Sequence, residues 1–280
     1  MGDQQGFART YGVELLFDTP PRIDRQALLE RMREYCGHVE ALGGPERPDL
    51  LLFAHVDHPV TYADGTVPAQ TFMALSDKPL APDQLAPALE QTRDWPEARA
   101  TLARCRRTMV VSDILASGLD YKTRLALFHG VLRSVLEVIA PLAIHWQPSQ
   151  RLVHPAAYLA ARRAERADPL YPAVNVRLFR VEQGAPGEVV MDTVGLAALG
   201  LPDLQCHCAG LQPGAVAAML YNSAAYLFEH GDVIEDGHTI QGLSPDQRWT
   251  CQHEMALVAP EREVIDVDPG PPHAAGNRGR

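Results

Sequence analysis

Cys206, His207 and Cys208, in the run LQCHCAG, and Cys251 and His253, in TCQHE, are the residues whose types best suit metal ligation. In an extended segment, alternation sends Cys206 and Cys208 to one face and His207 to the other, so the tripeptide alone cannot give one ion three ligands. Cys251 and His253 also share a face. Were the two strands neighbours, Cys206, Cys208, Cys251 and His253 would make the three-cysteine, one-histidine set that holds structural zinc. The spacing is Cys-x-Cys rather than Cys-x-x-Cys, which favours the ordinary reading: small apolar residues filling a half-buried strand. No cofactor is expected.

HVDHP sets His55 and His58 three residues apart around Asp57, a set that would bind a metal only if a turn brought it together. HGDVIEDGH gathers Asp232, Glu235, Asp236 and His238 between His230 and the next strand. Such an acidic rim can bind a metal or meet a cationic partner surface, whereas Asp236-Gly237 on its own is the signal of a hairpin turn. Asp192 and Asp203 flank a corner, VGLAALGLP, and either contact a partner or cap nearby backbone amides. There is no Gly-x-Ser-x-Gly elbow, no Walker A sequence and no Gly-x-Gly-x-x-Gly, so neither an esterase-type nucleophile nor nucleotide binding is indicated. The basic runs RCRR and RRAER lack interleaved aromatics and read as solvated helix faces.

The elements that must position these groups follow from periodicity. YGVELLFD is a strand stopped by Pro20-Pro21, and DRQALLERMREYCG is a helix capped by Asp24 and ended at Gly37. DLLLFAHV and AQTFMALS make two strands around Asp64-Gly65; one broken helix or two short ones, with Pro87 and Pro96 at first-turn positions, and the strand RTMVVSDIL follow. The clearest helix, DYKTRLALFHGVLRSVLEVIA, carries one apolar stripe. After it come the strand LAIHWQPS, the helix HPAAYLAARRAERA and the hairpin AVNVRLFRVEQG with EVVMDTVGL. LQCHCAG, the helix QPGAVAAMLYNSAAYLFEHG ending at Gly231, a hairpin through Asp236-Gly237, and the strands WTCQHEMAL and REVIDVD complete the order. The expected fold is α+β: two packed α/β halves over residues 11–116 and 117–268, each ferredoxin-like, with mixed or antiparallel sheets. Residues 1–10 are expected to be flexible, and 269–280, in PGPPHAAGNRGR, to be a disordered tail.

With 280 residues, 46% of them hydrophobic, the chain can bury a sizeable core. A formal charge of -10 disfavours nucleic acid and anionic lipid as partners and favours a basic protein. The apolar run VLEVIAPLAI is interrupted by Glu137 and Pro141 and is too short to span a membrane. Nothing at the start reads as a secretory signal, and five scattered cysteines suit free thiols, so the expected compartment is the cytoplasm.

MDTVGLAALGLPDLQCH, LYNSAAYLFEHGDVIEDGHTIQG and CQHE together resemble the C-terminal half of a bacterial family of uncharacterised proteins, a domain of unknown function. The resemblance implies an immunity or accessory role beside type VI or contact-dependent secretion toxins, and it assigns no catalytic residue. The leading expectation is therefore a cytosolic protein that binds a bacterial toxin or secretion-system protein. Its contacts would be Asp232, Glu235, Asp236 and His238, with Asp192 and Asp203. The alternative is a metal-dependent hydrolase using histidine, cysteine and acidic groups of the second half; a third is a scaffold in a homo-oligomer.

Overall fold

The computed structural model describes residues 10–43, 50–76 and 78–276. The fold is α+β, and the chain divides into two compact units, the first ending at Pro172 and the second beginning at Ala173.

The first unit is built on a seven-stranded sheet. Its elements are β1 (Gly12–Phe17), α1 (Arg25–Cys36), β2 (Val39–Leu42), β3 (Leu50–Tyr62), β4 (Gly65–Leu75), α2 (Ala86–Glu90), α3 (Ala98–Leu102), β5 (Arg107–Ile114), α4 (Tyr121–Val138), β6 (Ala143–Trp146), β7 (Arg151–Val153) and α5 (Pro155–Arg163). The order across the sheet is β2-β3-β4-β5-β1-β6-β7, antiparallel throughout. Strands β2 to β5 therefore run as a meander, with β1 taken up on the far side of β5, in place of the interleaved ferredoxin-like order. A boundary at 116/117 would cut this sheet, because β6 pairs with β1 through Glu14 and His145 and β7 pairs with β6. The unit closes at Pro172 instead.

Local signals set the helices. Asp24 accepts from the amides of Gln26 and Ala27, and Gly37 ends α1 with φ of 76°. Asp120 caps α4 on Thr123, and α4 buries Leu125, Phe128, Val131, Leu132 and Val135. One polar contact lies within this apolar packing. Arg124 Nε and Nη2 bond the two oxygens of Asp113 at 2.6 and 2.9 Å, and the Tyr11 amide donates to the same carboxylate at 2.7 Å. Both charges are buried, so the bidentate geometry must offset their desolvation. Beside them Tyr11, Phe128, Trp146 and Tyr158 pack edge-on or tilted, and the Trp146 indole donates to the Tyr11 hydroxyl at 2.9 Å.

The second unit carries β8 (Asn175–Arg180), β9 (Glu188–Val194), β10 (Asp203–Ala209), α6 (Pro213–His230), β11 (Thr239–Gln241), β12 (Arg248–Met255) and β13 (Glu263–Asp268). The sheet order is β11-β12-β13-β10-β9-β8; β10 and β13 are parallel and the other pairs antiparallel. α6 packs across β8, β9 and β10 and buries Val216, Leu220, Ala224 and Leu227. Two expectations differ here. Asp236-Gly237 does turn the chain, but no strand precedes it. Among the described residues β11 pairs with β12 alone, and Asp236 is held by the His253 amide and ring at 2.7 and 2.9 Å. Residues 269–276 are also ordered. β13 covers β10 only from Asp203 to Gln205, and the exposed backbone beyond is satisfied by residues 273–275: the Ala209 amide donates to the His273 carbonyl at 2.9 Å and Ala275 to His207. Positions 1–9 and 277–280 of the expected flexible ends lie outside the described residues.

Two buried histidines make the first unit acid-sensitive. Burial holds His55 down to about 4 and His129 to about 3, against an ordinary 6.5. The Pro169 carbonyl can only accept, so His129 Nε2 carries the proton, and Nδ1 takes the Tyr158 hydroxyl at 2.9 Å. Both rings are neutral when folded. Their contribution is complete above pH 6.5 and is lost as pH falls toward the folded values, since only the unfolded chain protonates readily. Stability of the first unit should drop by roughly 2–4 kcal/mol between pH 7 and 5. Hydrogen exchange of β1 and α4 measures this, and His129→Gln should flatten the slope. A pH-independent exchange rate, after correction for intrinsic chemistry, would contradict neutral burial.

Candidate functional site

Asp192 and Asp203, expected at a corner of the second unit, do meet, but inside it. β9 and β10 are in register at Asp192 and Gln205, and β8 places Arg177 beside Asp192. Arg177 Nε and Nη2 bond the Asp192 carboxylate at 2.9 and 2.5 Å. Arg262, from the loop entering β13, reaches Asp192 at 2.7 Å and Asp203 at 3.0 Å. Asp203 also accepts from Thr193 Oγ1 and the Leu196 amide, both at 3.1 Å, tying the corner to the network. Both carboxylates have no exposed surface, so they cannot touch a partner. Burial pushes the Asp203 carboxyl up, and the Arg262 guanidinium opposes that shift. The arginines were not legible as partners: Arg177 alternates with apolar residues along β8, as a solvated side chain would, and Arg262 carries no local signal.

The corner itself fixes Gly195. Its φ is 133°, and a Cβ there would collide with the Ala173 carbonyl, so the backbone passes too close for any other residue.

The cysteines do not converge. Cys206 and Cys208 lie on β10 and Cys251 on β12, with β13 between them, a separation of two strand spacings, or about 10 Å. All three are buried, and burial pushes the Cys251 thiol up to about 11. His253 faces Asp236 and Asp232 instead. Among the described residues, no three His, Cys, Asp or Glu side chains form a group able to hold a metal ion. In the first unit, His55 is buried against Thr71 at 2.8 Å, while Asp57 accepts from the His38 amide at 2.7 Å. No helix among the described residues is long and apolar enough to cross a membrane.

The acidic segment is at the surface. Gly231 ends α6 with φ of 84°, and the chain then runs through Asp232 to His238 into β11. The Asp232, Glu235 and Asp236 side chains are 51%, 82% and 64% exposed, and His238 is 52% exposed. The His253 backbone amide and then its ring hold the Asp236 carboxyl below its usual range. Val233, Ile234, Gly237 and His238 of this segment line an open groove of about 990 Å³, with α6 as the other wall and the three carboxylates beside the lining rather than in it.

Residues 192–268 match a family described as a domain of unknown function (DUF4261). Comparison with curated proteins and with solved structures finds no match. The matched stretch holds Asp192, Asp203, Arg262, α6 and the acidic segment.

Removing one arginine strands buried carboxylates. Arg262→Met should destabilise the second unit by about 3–5 kcal/mol. Adding Asp203→Asn should recover part of that loss, giving a non-additive double-mutant cycle by thermal or chemical unfolding. Simple additivity would show that the two side chains do not interact.

Proposed function

We propose that the second unit is the protein-binding part of a cytosolic protein and that its partner surface is cationic. The observation that supports this is the distribution of charge. Across residues 7–172, nineteen Lys and Arg accompany twenty Asp and Glu. Residues 173–280 hold six Arg, no Lys and fourteen Asp and Glu. Two of the six, Arg177 and Arg262, are spent inside, against Asp192 and Asp203. Outside the core, among the described residues, Arg180 and Arg248 are left with eleven carboxylates.

Solubility alone does not require this concentration of one sign on one unit. A field of that kind accelerates encounter with an oppositely charged protein and rejects anionic ones. Asp232, Glu235 and Asp236 are its most exposed cluster beside a groove, which makes them the preferred contact. His238 lies with them. The narrower reading is an immunity or accessory protein that binds a toxin or secretion-system protein. It rests on the family resemblance of the second unit and on the fit between a carboxylate-rich surface and a basic active site.

Asp232→Lys with Glu235→Lys should reduce retention of the natural partner from native cells by at least about tenfold at low salt and leave folding intact, since both side chains are solvated. Retention by the unaltered chain should also fall as salt rises. In the immunity reading, the double variant should fail to protect cells expressing the toxin. Undiminished retention and full protection would reject this surface.

A further inference from the structure

The groove has two unlike walls. On α6, its lining recurs at Ala215, Ala218, Met219, Asn222, Ser223 and Tyr226, a helical stripe largely distinct from the one that packs on the sheet. Small residues at Ala215 and Ala218 leave room, while Tyr226 is 51% exposed at one end. The opposite wall includes Val233, 44% exposed, and the three residues of β11.

β11 is the outermost strand, with β12 as its one neighbour among the described residues. The Cys251 amide donates to the His238 carbonyl at 2.8 Å, and the Gly242 amide to the Gln247 carbonyl at 3.1 Å. Antiparallel alternation then points the backbone N–H and C=O of Thr239 and Gln241 away from β12. The edge thus offers two donor–acceptor sets about 7 Å apart, the repeat of an incoming strand. Natural edges are usually blunted, and β11 is short, but the strand itself carries no lysine or proline.

We infer that an extended segment of the partner adds to β11 as a further strand, its aliphatic side chains in the groove and its lysines or arginines on Asp232, Glu235 and Asp236. Strand addition takes affinity from main-chain bonds and specificity from pockets for alternate side chains. A second copy of this chain is the disfavoured occupant. A two-fold pairing through β11 would set the same carboxylates of both copies against each other. The inference rests on the proposed binding of cationic proteins and adds the place and the conformation.

The test is selection of a display library of random twelve-residue peptides on the full-length chain. Enriched peptides should alternate Lys or Arg with aliphatic residues, and the best of them, synthesised, should slow amide exchange at Thr239 and Gln241. Ala218→Trp, which fills the groove from an exposed helix position, and Gln241→Pro, which removes an outward N–H, should each weaken that peptide by at least about tenfold. The inference is overturned by an absence of enrichment, by peptides without basic residues, or by binding that survives Ala218→Trp and leaves exchange at β11 unchanged. Self-association abolished by Ala218→Trp would assign the groove to a second copy and overturn it as well. If Asp232→Lys with Glu235→Lys loses the natural partner while Ala218→Trp keeps it, the binding function stands and the groove falls.

Discussion

The second unit depends on four charges held almost wholly out of water. Arg177 on β8, Asp192 on β9, Asp203 at the start of β10 and Arg262 before β13 bond one another across elements that are distant in sequence. Such a group stabilises only when every partner is present, because an unpaired buried carboxylate costs several kcal/mol. Its geometry sets the neighbouring structure. Arg262 also donates to the Thr193 carbonyl, and the Leu257 amide bonds Gln205, so the loop between β12 and β13 closes the polar face of the sheet. Leu204, Cys206 and Cys208 alternate to the other face, the one left for α6. The network also shapes the surface, since it draws Arg177 and Arg262 inward and leaves the described exterior rich in carboxylates.

What the sequence made legible was local. Asp24, Gly37 and Asp120 mark helix ends because a cap needs only its own neighbouring amides. Strands with clear alternation, such as β9 and β10, lie where their pattern puts them. What was not legible was pairing over long separations. His145 meets Glu14 across 131 residues, and this closes the first sheet well past the expected boundary. Arg262 meets Asp203 across 59 residues, so nothing near Asp203 showed that it would be buried rather than offered to a partner. The cysteines failed as a set for the same reason: β13, last in sequence, inserts between β10 and β12. Residues 269–280 have the composition of a tail, yet beyond β13 the β10 backbone bonds residues 273–275.

Asp232, Glu235, Asp236 and His238 stand at the surface together, while Asp192 and Asp203 support the sheet beneath. The DUF4261 match spans both, from the buried network to the acidic segment, and so joins the stabilising core to the surface proposed for binding. The first unit, with its balanced charge and its Arg124–Asp113 pair inside an aromatic cluster, contributes no comparable field.

The most direct test of the account is zero-length carbodiimide cross-linking in native cells, which joins a carboxylate to a lysine amine only at contact distance. The second unit has no lysine of its own between residues 173 and 276, so cross-links from its carboxylates to another protein's lysines report contact with a cationic surface. The account predicts one recurrent partner joined through Asp232, Glu235 or Asp236. Cross-links confined to residues 10–172, or none to any other protein, would contradict it.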